Sequence, residues 1–311
     1  MTVNRHLEQF HGLPVFDFTP GPDTSAELPA AGAVAWRISV EYGTKASFED
    51  TWLDFLDRVD SARVGAVVVG AWWAEDYEPI GGTLAAVVGA AERLPALRGL
   101  FIGDVTYEQC EISWLEMSEV TAVLTAFPRL EELVVRGGSG LKLRPVRHER
   151  LRALRFEAGG LPAEVVRAVG ECDLPALERL ELWLGVDEYG GDHSVADLAP
   201  FLTGVRFPAL RHLGLENSEY QDDIAAAVAQ APVVARLEHL ALAMGVLTDE
   251  GAGALLEGQP LTHLKSLDLH HHYLSEEMQQ RLVAALPGVE VDLSDAEVEE
   301  VEEDRYVAVA E

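Results

Sequence analysis

The apolar residues of this chain recur in a short string, Leu-x-x-Leu-x-Leu, in which other aliphatic residues can replace leucine. The clearest copy contains Leu177, Leu180 and Leu182 and follows the pair Leu174-Pro175. Nine copies begin 21 to 33 residues apart, at Ala35, Val64, Leu97, Leu130, Leu151, Leu177, Leu210, Leu237 and Leu264. A recurrence of this length indicates an array of similar units.

Segments with helical spacing separate these strings. In the first segment Phe48, Trp52 and Phe55 form one apolar stripe, and Ser47 with Asp50 resembles a capping pair at its start. Similar segments predict helices at 48–59, 83–94, 118–127, 162–170, 194–202, 219–231, 248–257 and 275–286. Strand therefore alternates with helix. We expect the strands to pair in parallel as the units stack, and the wider helices to curve the stack into a horseshoe.

Two stretches carry a resemblance to a known class of repeat proteins. Residues 264–275 and 247–255 resemble the strand and the helix entry of the ribonuclease-inhibitor-like class of leucine-rich-repeat proteins. The resemblance implies an α/β fold, a leucine-rich-repeat solenoid (horseshoe) with parallel strands on the concave face and helices on the convex face. The Asn that closes the turn in that class is replaced by His272 and Ser218 in two units.

The repeat divides the chain into three parts. Residues 1–32 do not fit it and predict an amino-terminal cap, with a short strand at 15–18. Residues 33–293 form about nine repeats, ending in a strand-like copy at 289–293. Residues 294–311 form an acidic carboxy-terminal tail, whose segment 306–310 could add to a sheet edge. The step of 21 residues after Leu130 predicts a loop in place of a helix.

The whole chain, including the closing residues 305–309, also resembles a family of cytosolic bacterial leucine-rich-repeat proteins. Members of that family tend to be encoded beside radical-SAM and ATP-grasp-like enzymes. The resemblance implies an accessory role, with a neighbouring enzyme as a possible partner.

Charge and composition exclude several partners. Asp and Glu total 53 against 23 Lys and Arg, and the net charge of −30 opposes binding to nucleic acid. The sequence shows no apolar run long enough to span a membrane and no secretory core in residues 1–12. Cys110 and Cys172 are too few for a disulfide-bonded extracellular repeat. We expect a cytoplasmic protein with reduced thiols and no membrane or nucleic-acid partner.

The side chains between the repeated leucines face away from the core and form the predicted partner-binding surface. Trp183, between charged neighbours, is a candidate anchor. The predicted binding residues are Arg136, Arg155, Glu157, Arg179, Glu181, Trp183, His212, Glu216, His239, Asp268 and His270. We expect these side chains to make no contribution to core packing. Changing Arg155 and Trp183 would therefore leave the melting curve nearly unchanged.

Basic residues concentrate in one region of this acidic chain. The predicted basic patch contains Arg129, Lys142, Arg144, Arg147, Arg150 and Arg152, together with Arg136 and Arg155. It would suit an acidic partner, a phosphate-bearing ligand or the chain's own tail. The glycines at 137, 138 and 140 lack the spacing of a nucleotide-binding loop. Ordinary surface charge is the alternative.

The sequence predicts no catalytic, metal or cofactor site. The run His270-His271-His272 cannot easily place three side chains on one ion, because neighbours along a strand face opposite sides. No nucleophile elbow, zinc-protease motif or nucleotide loop occurs. Glu108 and Glu111 should raise the pKa of Cys110, which argues against a reactive thiolate.

The sequence therefore favours a non-catalytic scaffold that binds a protein or peptide on the concave sheet. Two alternatives stay open. One is an accessory subunit of a bacterial modifying or biosynthetic enzyme, docked through the acidic tail. The other is a small-ligand or phosphate binder at the basic patch.

Overall fold

Twelve strands form one open, mostly parallel sheet in the computed structural model, which describes residues 3–21, 28–75, 77–297 and 305–311. Each strand pairs with its neighbours in chain order, and among them only the first pair is antiparallel. The strands are β1 (Gln9–Phe10), β2 (Leu13–Asp17), β3 (Ala35–Ile38), β4 (Ala66–Val69), β5 (Gly99–Ile102), β6 (Glu132–Arg136), β7 (Ala153–Glu157), β8 (Arg179–Gly185), β9 (His212–Ser218), β10 (His239–Ala241), β11 (Ser266–Asp268) and β12 (Glu290–Asp292).

Eight α-helices occupy the connections between β3 and β12 in the described residues. They are α1 (Phe48–Arg58), α2 (Gly81–Gly89), α3 (Thr121–Ala126), α4 (Ala163–Glu171), α5 (Ala199–Leu202), α6 (Gln221–Ala229), α7 (Asp249–Glu257) and α8 (Glu276–Ala285). Each of the eight predicted segments contains a helix, with ends displaced by up to five residues, and the segment predicted at 194–202 is α-helical only over α5. The connection from β6 to β7 has no helix, as its short length predicted. None of the helices in the described part of the chain is both long and apolar enough to cross a bilayer.

Local polar contacts fix where the helices begin. Ser47 caps α1, and it exchanges hydrogen bonds with Asp50 in a capping box, which confirms the predicted pair. Farther along, Asp222 of α6 accepts bonds from the backbone N–H groups of Thr248 (2.8 Å) and Gly251 (3.1 Å) at the start of α7. Such carboxylates satisfy orphan helix N–H groups and also join consecutive units.

The core lies between the sheet and the helices. In each complete string the three apolar positions are buried, as at Leu177, Leu180 and Leu182, which have no exposed surface. Near the amino-terminal end the core is aromatic, and Trp36 packs against Phe55 with ring centroids 5.6 Å apart. Each unit buries its apolar side on the next, so the array forms one continuous core.

The predicted phase of the first unit is wrong by two residues. Strand pairing places Ala35 opposite Ala66 and Arg37 opposite Val68. The unit therefore begins at residue 33 instead of Ala35, and Trp36 and Ile38 fill its core positions. This unit contains no leucine in its string, so alignment by leucines could not set its phase.

Candidate functional site

The helix-free face of the sheet, opposite the helices, is divided into an apolar and a polar half. Its side chains alternate with the core positions along each strand. Across β3 to β6 the middle positions are mainly apolar and include Val68, Phe101 and Val134. Across β7 to β11 most of the corresponding and adjacent positions carry charged or polar groups. The strand pairing places Arg155 beside Glu181, and Trp183 beside Glu216.

Residues 3–12 cover the apolar half. Strands β1 and β2 form a hairpin whose two-residue turn has left-handed backbone at His11 (φ 50°) and Gly12 (φ 71°). Phe10 is buried edge-on against Phe101, with ring centroids 5.8 Å apart. The ring of His11 reaches Glu132 at 2.8 Å. Strand β2 extends the sheet beside β3, as expected of a cap, but the preceding residues turn back over its face.

Asp104 anchors this amino-terminal segment from inside the protein. Its side chain is fully buried, and one carboxylate oxygen lies 2.8 Å from Nη1 of Arg37. The backbone N–H of Leu7 also donates to it at 3.3 Å. Burial opposes ionisation of Asp104, but hydrogen bonds from His6 and Arg37 lower its pKa below the usual range. The segment is therefore tied by charge as well as by apolar packing.

The polar half contains a chain of ion pairs, here called the polar cluster: Arg136, Arg155, Glu157, Arg179, Glu181 and His212. Arg136, Glu157 and Glu181 are buried, Arg155 and His212 are half-buried, and Arg179 is exposed. Nε of Arg136 lies 2.6 Å from one oxygen of Glu157, and Nε of Arg155 lies 2.9 Å from the other. Arg155 also approaches Glu181 at 3.3 Å and stacks over the ring of Trp183 at 5.1 Å. Arg155 thus occupies the centre of the cluster.

Glu181 is the most strongly stabilised carboxylate of the cluster. His212 Nε2 lies 2.8 Å and Arg179 Nη2 2.6 Å from the same oxygen. Burial disfavours its charge, but the hydrogen bond to His212 and the charges of Arg155 and Arg179 lower its pKa to about 2. The side chain is therefore held ionised in a fixed position.

Glu216 and the indole N–H of Trp183 contrast with the paired cluster. Glu216 is 7% exposed, and no hydrogen bond or ion pair joins its side chain to the described residues. Burial, followed by the charge of Glu181, raises its pKa to about 8, against the opposing effect of Arg155. Nε1 of Trp183 is also buried without a hydrogen-bond partner in the described part of the chain. Both groups line the same cavity.

That cavity has a volume of about 670 Å³ and lies between the polar half and the two chain ends. Its sheet wall includes Arg155, Trp183, Glu216 and Asp268, and residues of the amino-terminal segment form another wall. Val309 of the carboxy-terminal segment completes the lining. Volumes of this size are typical of sites for small ligands or short chain segments.

Residues 305–311 pack on the body of the same chain. Val309 is buried, and its backbone forms two hydrogen bonds with the side-chain amide of Asn217. The N–H of Val309 donates to Oδ1 at 3.0 Å, and its C=O accepts from Nδ2 at 2.5 Å. Ala308 N–H donates to the carbonyl of Met244 at 2.8 Å, and Ser113 bonds the carbonyl of Ala310. Among the described residues this segment does not add a strand to a sheet edge. The expectation that residues 306–310 extend an edge of the protein's own sheet is therefore wrong.

Asn217→Gly should release this carboxy-terminal segment. Glycine retains the left-handed backbone of Asn217 (φ 58°) but removes both bonds to Val309. We expect the free energy of unfolding to fall by about 2 kcal/mol and the Val309 amide to exchange at least tenfold faster. Hydrogen exchange measures the second effect, with the amide of Leu180 as the internal control. Unchanged exchange at Val309 would show that the amide does not hold the segment.

The structure brings the predicted binding residues together. Ten of the eleven line the cavity: Arg136, Arg155, Glu157, Arg179, Glu181, Trp183, His212, Glu216, Asp268 and His270. His239 stacks on His212 instead, with centroids 5.7 Å apart. The expectation that these side chains make no contribution to core packing is wrong for several of them. Arg136, Glu157, Glu181, Trp183 and Glu216 are all buried.

Five of the eight residues of the predicted basic patch pair with neighbouring acids. Arg136 and Arg155 belong to the sheet, whereas the other members lie in exposed or half-exposed loops. Arg144 pairs with Glu119 at 2.9 Å, and Arg152 with Glu178 at 3.1 Å. Arg147 pairs with Glu149 and Asp173, Arg129 donates to the carbonyl of Pro95, and Lys142 and Arg150 are exposed. Arg144, Arg147 and Arg152 are therefore matched locally by acids, whereas Arg129, Lys142 and Arg150 have no acidic partner among the described residues.

The histidine run lies beyond the end of β11, and its three side chains have different partners. His270 bonds Asp268 at 2.8 Å, His271 bonds the carbonyl of Tyr306 at 3.0 Å, and His272 bonds that of Leu293 at 3.2 Å. Within the described residues, Asp268, His270 and Asp292 are the set whose ligand atoms converge, to within 4.8 Å of one another. They could hold a cation at the edge of the cavity.

Neither cysteine is poised for nucleophilic chemistry. Both are free and buried. Burial, with the charge of Glu111, raises the pKa of Cys110 to about 11, which confirms the predicted direction. Burial also raises the pKa of Cys172. Thiolates are the reactive form, so both shifts disfavour nucleophilic reaction of these thiols near neutral pH.

Four important contacts were absent from the sequence prediction. Phe10 and His11 cover the sheet, Asp104 anchors them, and Asn217 holds Val309. The apolar residues 307–309 within an acidic tail were the visible signal for the last contact. A single acid at position 104 gives no comparable signal.

The chain was compared with protein families, curated proteins and solved structures. No protein-family model and no curated protein matches the chain. The crystal structure of a Bacteroides fragilis protein, a structural-genomics target, is similar, with a TM-score of 0.77 and 30% sequence identity. The match covers 87% of this chain and 77% of the other. Identity over this share of both chains means that the chain belongs to the same family as the Bacteroides fragilis protein.

Proposed function

We propose that the protein is a non-catalytic leucine-rich-repeat scaffold, and that its helix-free face is the concave face of a horseshoe that binds a short segment of a protein partner. The observation that carries this proposal is the cavity of about 670 Å³ in front of the polar half. The regular succession of strand and helix supports the ribonuclease-inhibitor-like class. The free cysteines Cys110 and Cys172 support a cytoplasmic location.

The size of the cavity favours a segment over a folded partner surface. Residues 3–12 already cover the apolar half of the face, which leaves the polar half for recognition. The space accommodates a few side chains and is walled by the sheet and by both chain ends. A partner would therefore insert a loop or terminus.

The polar cluster is preorganised for such recognition. Its charged groups are held by contacts with each other, as between Arg155 and Glu157 at 2.9 Å. Side chains that are fixed before binding lose little conformational entropy when a partner arrives. Buried aromatic and arginine side chains also dominate binding energies at protein interfaces, and Trp183 and Arg155 are stacked at the centre of this one.

The two alternatives have weaker support. An accessory subunit docked through residues 306–310 would have to release buried Val307 and Val309 from its own body. A phosphate binder at the basic patch would have to break local pairs such as Arg144–Glu119. An enzyme partner encoded nearby remains compatible with the proposed scaffold, provided that it docks at the cavity.

Blocking the cavity tests the proposal. Ala241 lines the cavity and lies beside Gly214 on the helix-free face, so Ala241→Phe should fill space that the partner needs. We expect wild-type protein to capture a specific partner from lysate, and Ala241→Phe to reduce that capture at least tenfold. Ala284→Phe on the exposed side of α8 is the matched control and should capture normally.

A photo-crosslinking residue at each of the two positions gives a second readout. The residue at 241 should crosslink to the partner, and the residue at 284 should not. Equal capture by the two phenylalanine variants, or crosslinking only from position 284, would refute recognition at the cavity.

A further inference from the structure

The sheet wall of the cavity has one acid without a matching cation. Its arginines are each paired: Arg136 with Glu157, Arg155 with Glu157 and Glu181, and Arg179 with Glu181. Two other wall acids also have partners, since Glu132 contacts His11 and Asp268 contacts His270. Arg5 lies at the exposed end of the lining, and the cations with the largest effects on Glu216 are Arg155 and His270. Glu216 is therefore the unmatched charge site of this wall.

Trp183 supplies a second unmatched group beside it. The two residues are direct neighbours in the pairing of β8 with β9, and the indole N–H is buried without an acceptor among the described residues. Burying a donor or an acid without a partner is unfavourable, and each such group in a folded protein requires an explanation. A ligand that offers both a cation and a hydrogen-bond acceptor would satisfy both groups.

We propose that the partner segment places a basic side chain in this cavity, with its cationic group at Glu216 and a backbone carbonyl at the indole N–H of Trp183. This inference rests on the proposed function and specifies the chemistry of the partner. A basic residue within a peptide carries both groups. The net charge of −30 would also attract a basic segment over long range.

Binding of such a group is coupled to proton release. The pKa of Glu216 is raised to about 8, so the free protein holds a proton there at neutral pH. The charged groups that act on it are Glu181, Arg155, Asp268 and His270. An arriving cation favours the ionised carboxylate, and the displaced proton passes to the buffer.

N-acetyl-lysine N-methylamide is a suitable probe, because it carries one basic side chain and two backbone carbonyls. Its binding is followed by the indole N–H resonance of Trp183 in NMR, assigned with a Trp183→Phe variant. We expect a saturable shift with the lysine probe, or with its arginine counterpart, and none with the uncharged norleucine analogue. Glu216→Gln should weaken binding at least tenfold, whereas Glu250→Gln on exposed α7 should not change it.

Calorimetry in two buffers of different ionisation enthalpy should show release of up to one proton at pH 7. An indole shift with norleucine equal to that with lysine would overturn the inference. So would normal binding to Glu216→Gln, or a response to MgCl₂ or ZnCl₂ without one to either basic probe. If Ala241→Phe abolishes partner capture but Glu216→Gln captures normally, the proposed function stands and only this inference fails.

Discussion

Arg155→Met should lower the free energy of unfolding by about 3–5 kcal/mol at pH 7. Its guanidinium lies between Glu157 and Glu181, at 2.9 and 3.3 Å, and methionine would retain the apolar stem but leave these acids without their central cation. Glu157 is 2% exposed and cannot be resolvated without opening the face. Urea unfolding followed by tryptophan fluorescence measures the loss.

Arg152→Met is the matched control. Arg152 is exposed and pairs with exposed Glu178 at 3.1 Å, so its loss should cost less than about 1 kcal/mol. Similar losses for the two variants would show that Arg155 does not hold the polar cluster together. From the sequence we expected an unchanged melting curve after substitution of Arg155. The structure instead predicts a clear loss of stability.

A double-mutant cycle isolates the interaction between Arg155 and Glu157. Glu157→Gln removes one of the acids that Arg155 compensates, and Arg136 contacts the same side chain at 2.6 Å. We expect Glu157→Gln to recover part of the stability lost in Arg155→Met, with a coupling of about 1–3 kcal/mol. Strict additivity of the two substitutions would contradict a stabilising ion pair between half-buried Arg155 and buried Glu157.

Most of the fold can be predicted from the repeated strings, because the periodicity within each unit indicates its strand and helix without knowledge of distant contacts. Strand positions spaced by two and helical stripes spaced by three or four are visible in any single unit, and their stacking follows from the apolar sides they leave. The phase of the first unit was predicted wrongly, because Trp36 and Ile38 occupy the core positions where leucines were expected. Phase can be assigned only where the repeated residue type persists.

The two chain ends could not be placed from the sequence. Phe10 contacts Phe101, and Val309 contacts Asn217, over separations of about ninety residues. Such contacts depend on which surfaces the finished array leaves exposed, and no local pattern encodes them. The predicted binding residues lie together, as the repeat predicts, but several that were expected to be solvated are buried. Contacts with side chains of neighbouring strands contribute to this burial, as between Glu181 and His212 at 2.8 Å.

Glu216→Gln should stabilise the protein in neutral and weakly basic solution and have little effect in acid. The pKa of Glu216 is about 8 in the folded chain, against an ordinary value of 4.5. A raised pKa means that the folded state binds the proton more tightly. The stability it contributes is therefore fully present below about pH 4.5 and is lost as pH rises to about 8. Glutamine carries no such dependence.

We expect the difference in free energy of unfolding between Glu216→Gln and wild type to grow from near zero at pH 4.5 to about 4 kcal/mol at pH 8. Urea unfolding at intervals of half a pH unit measures this curve. Glu250→Gln, on the exposed side of α7, is the control and should give a flat difference over the same range. A flat curve for Glu216→Gln would mean that the buried acid is ionised at little cost.

The pH range of the stability change distinguishes the effect of Glu216 from that of Glu181, which lies near it. The pKa of Glu181 is lowered to about 2, so the stability that Glu181 contributes is present above about pH 4.5 and is lost only as pH falls towards 2. The two acids therefore act on opposite sides of pH 4.5, although they face the same cavity. A stability change confined to pH 4.5–8 and removed by Glu216→Gln can only come from the acid that lacks a cation. The proposed basic side chain should suppress the same change when it binds.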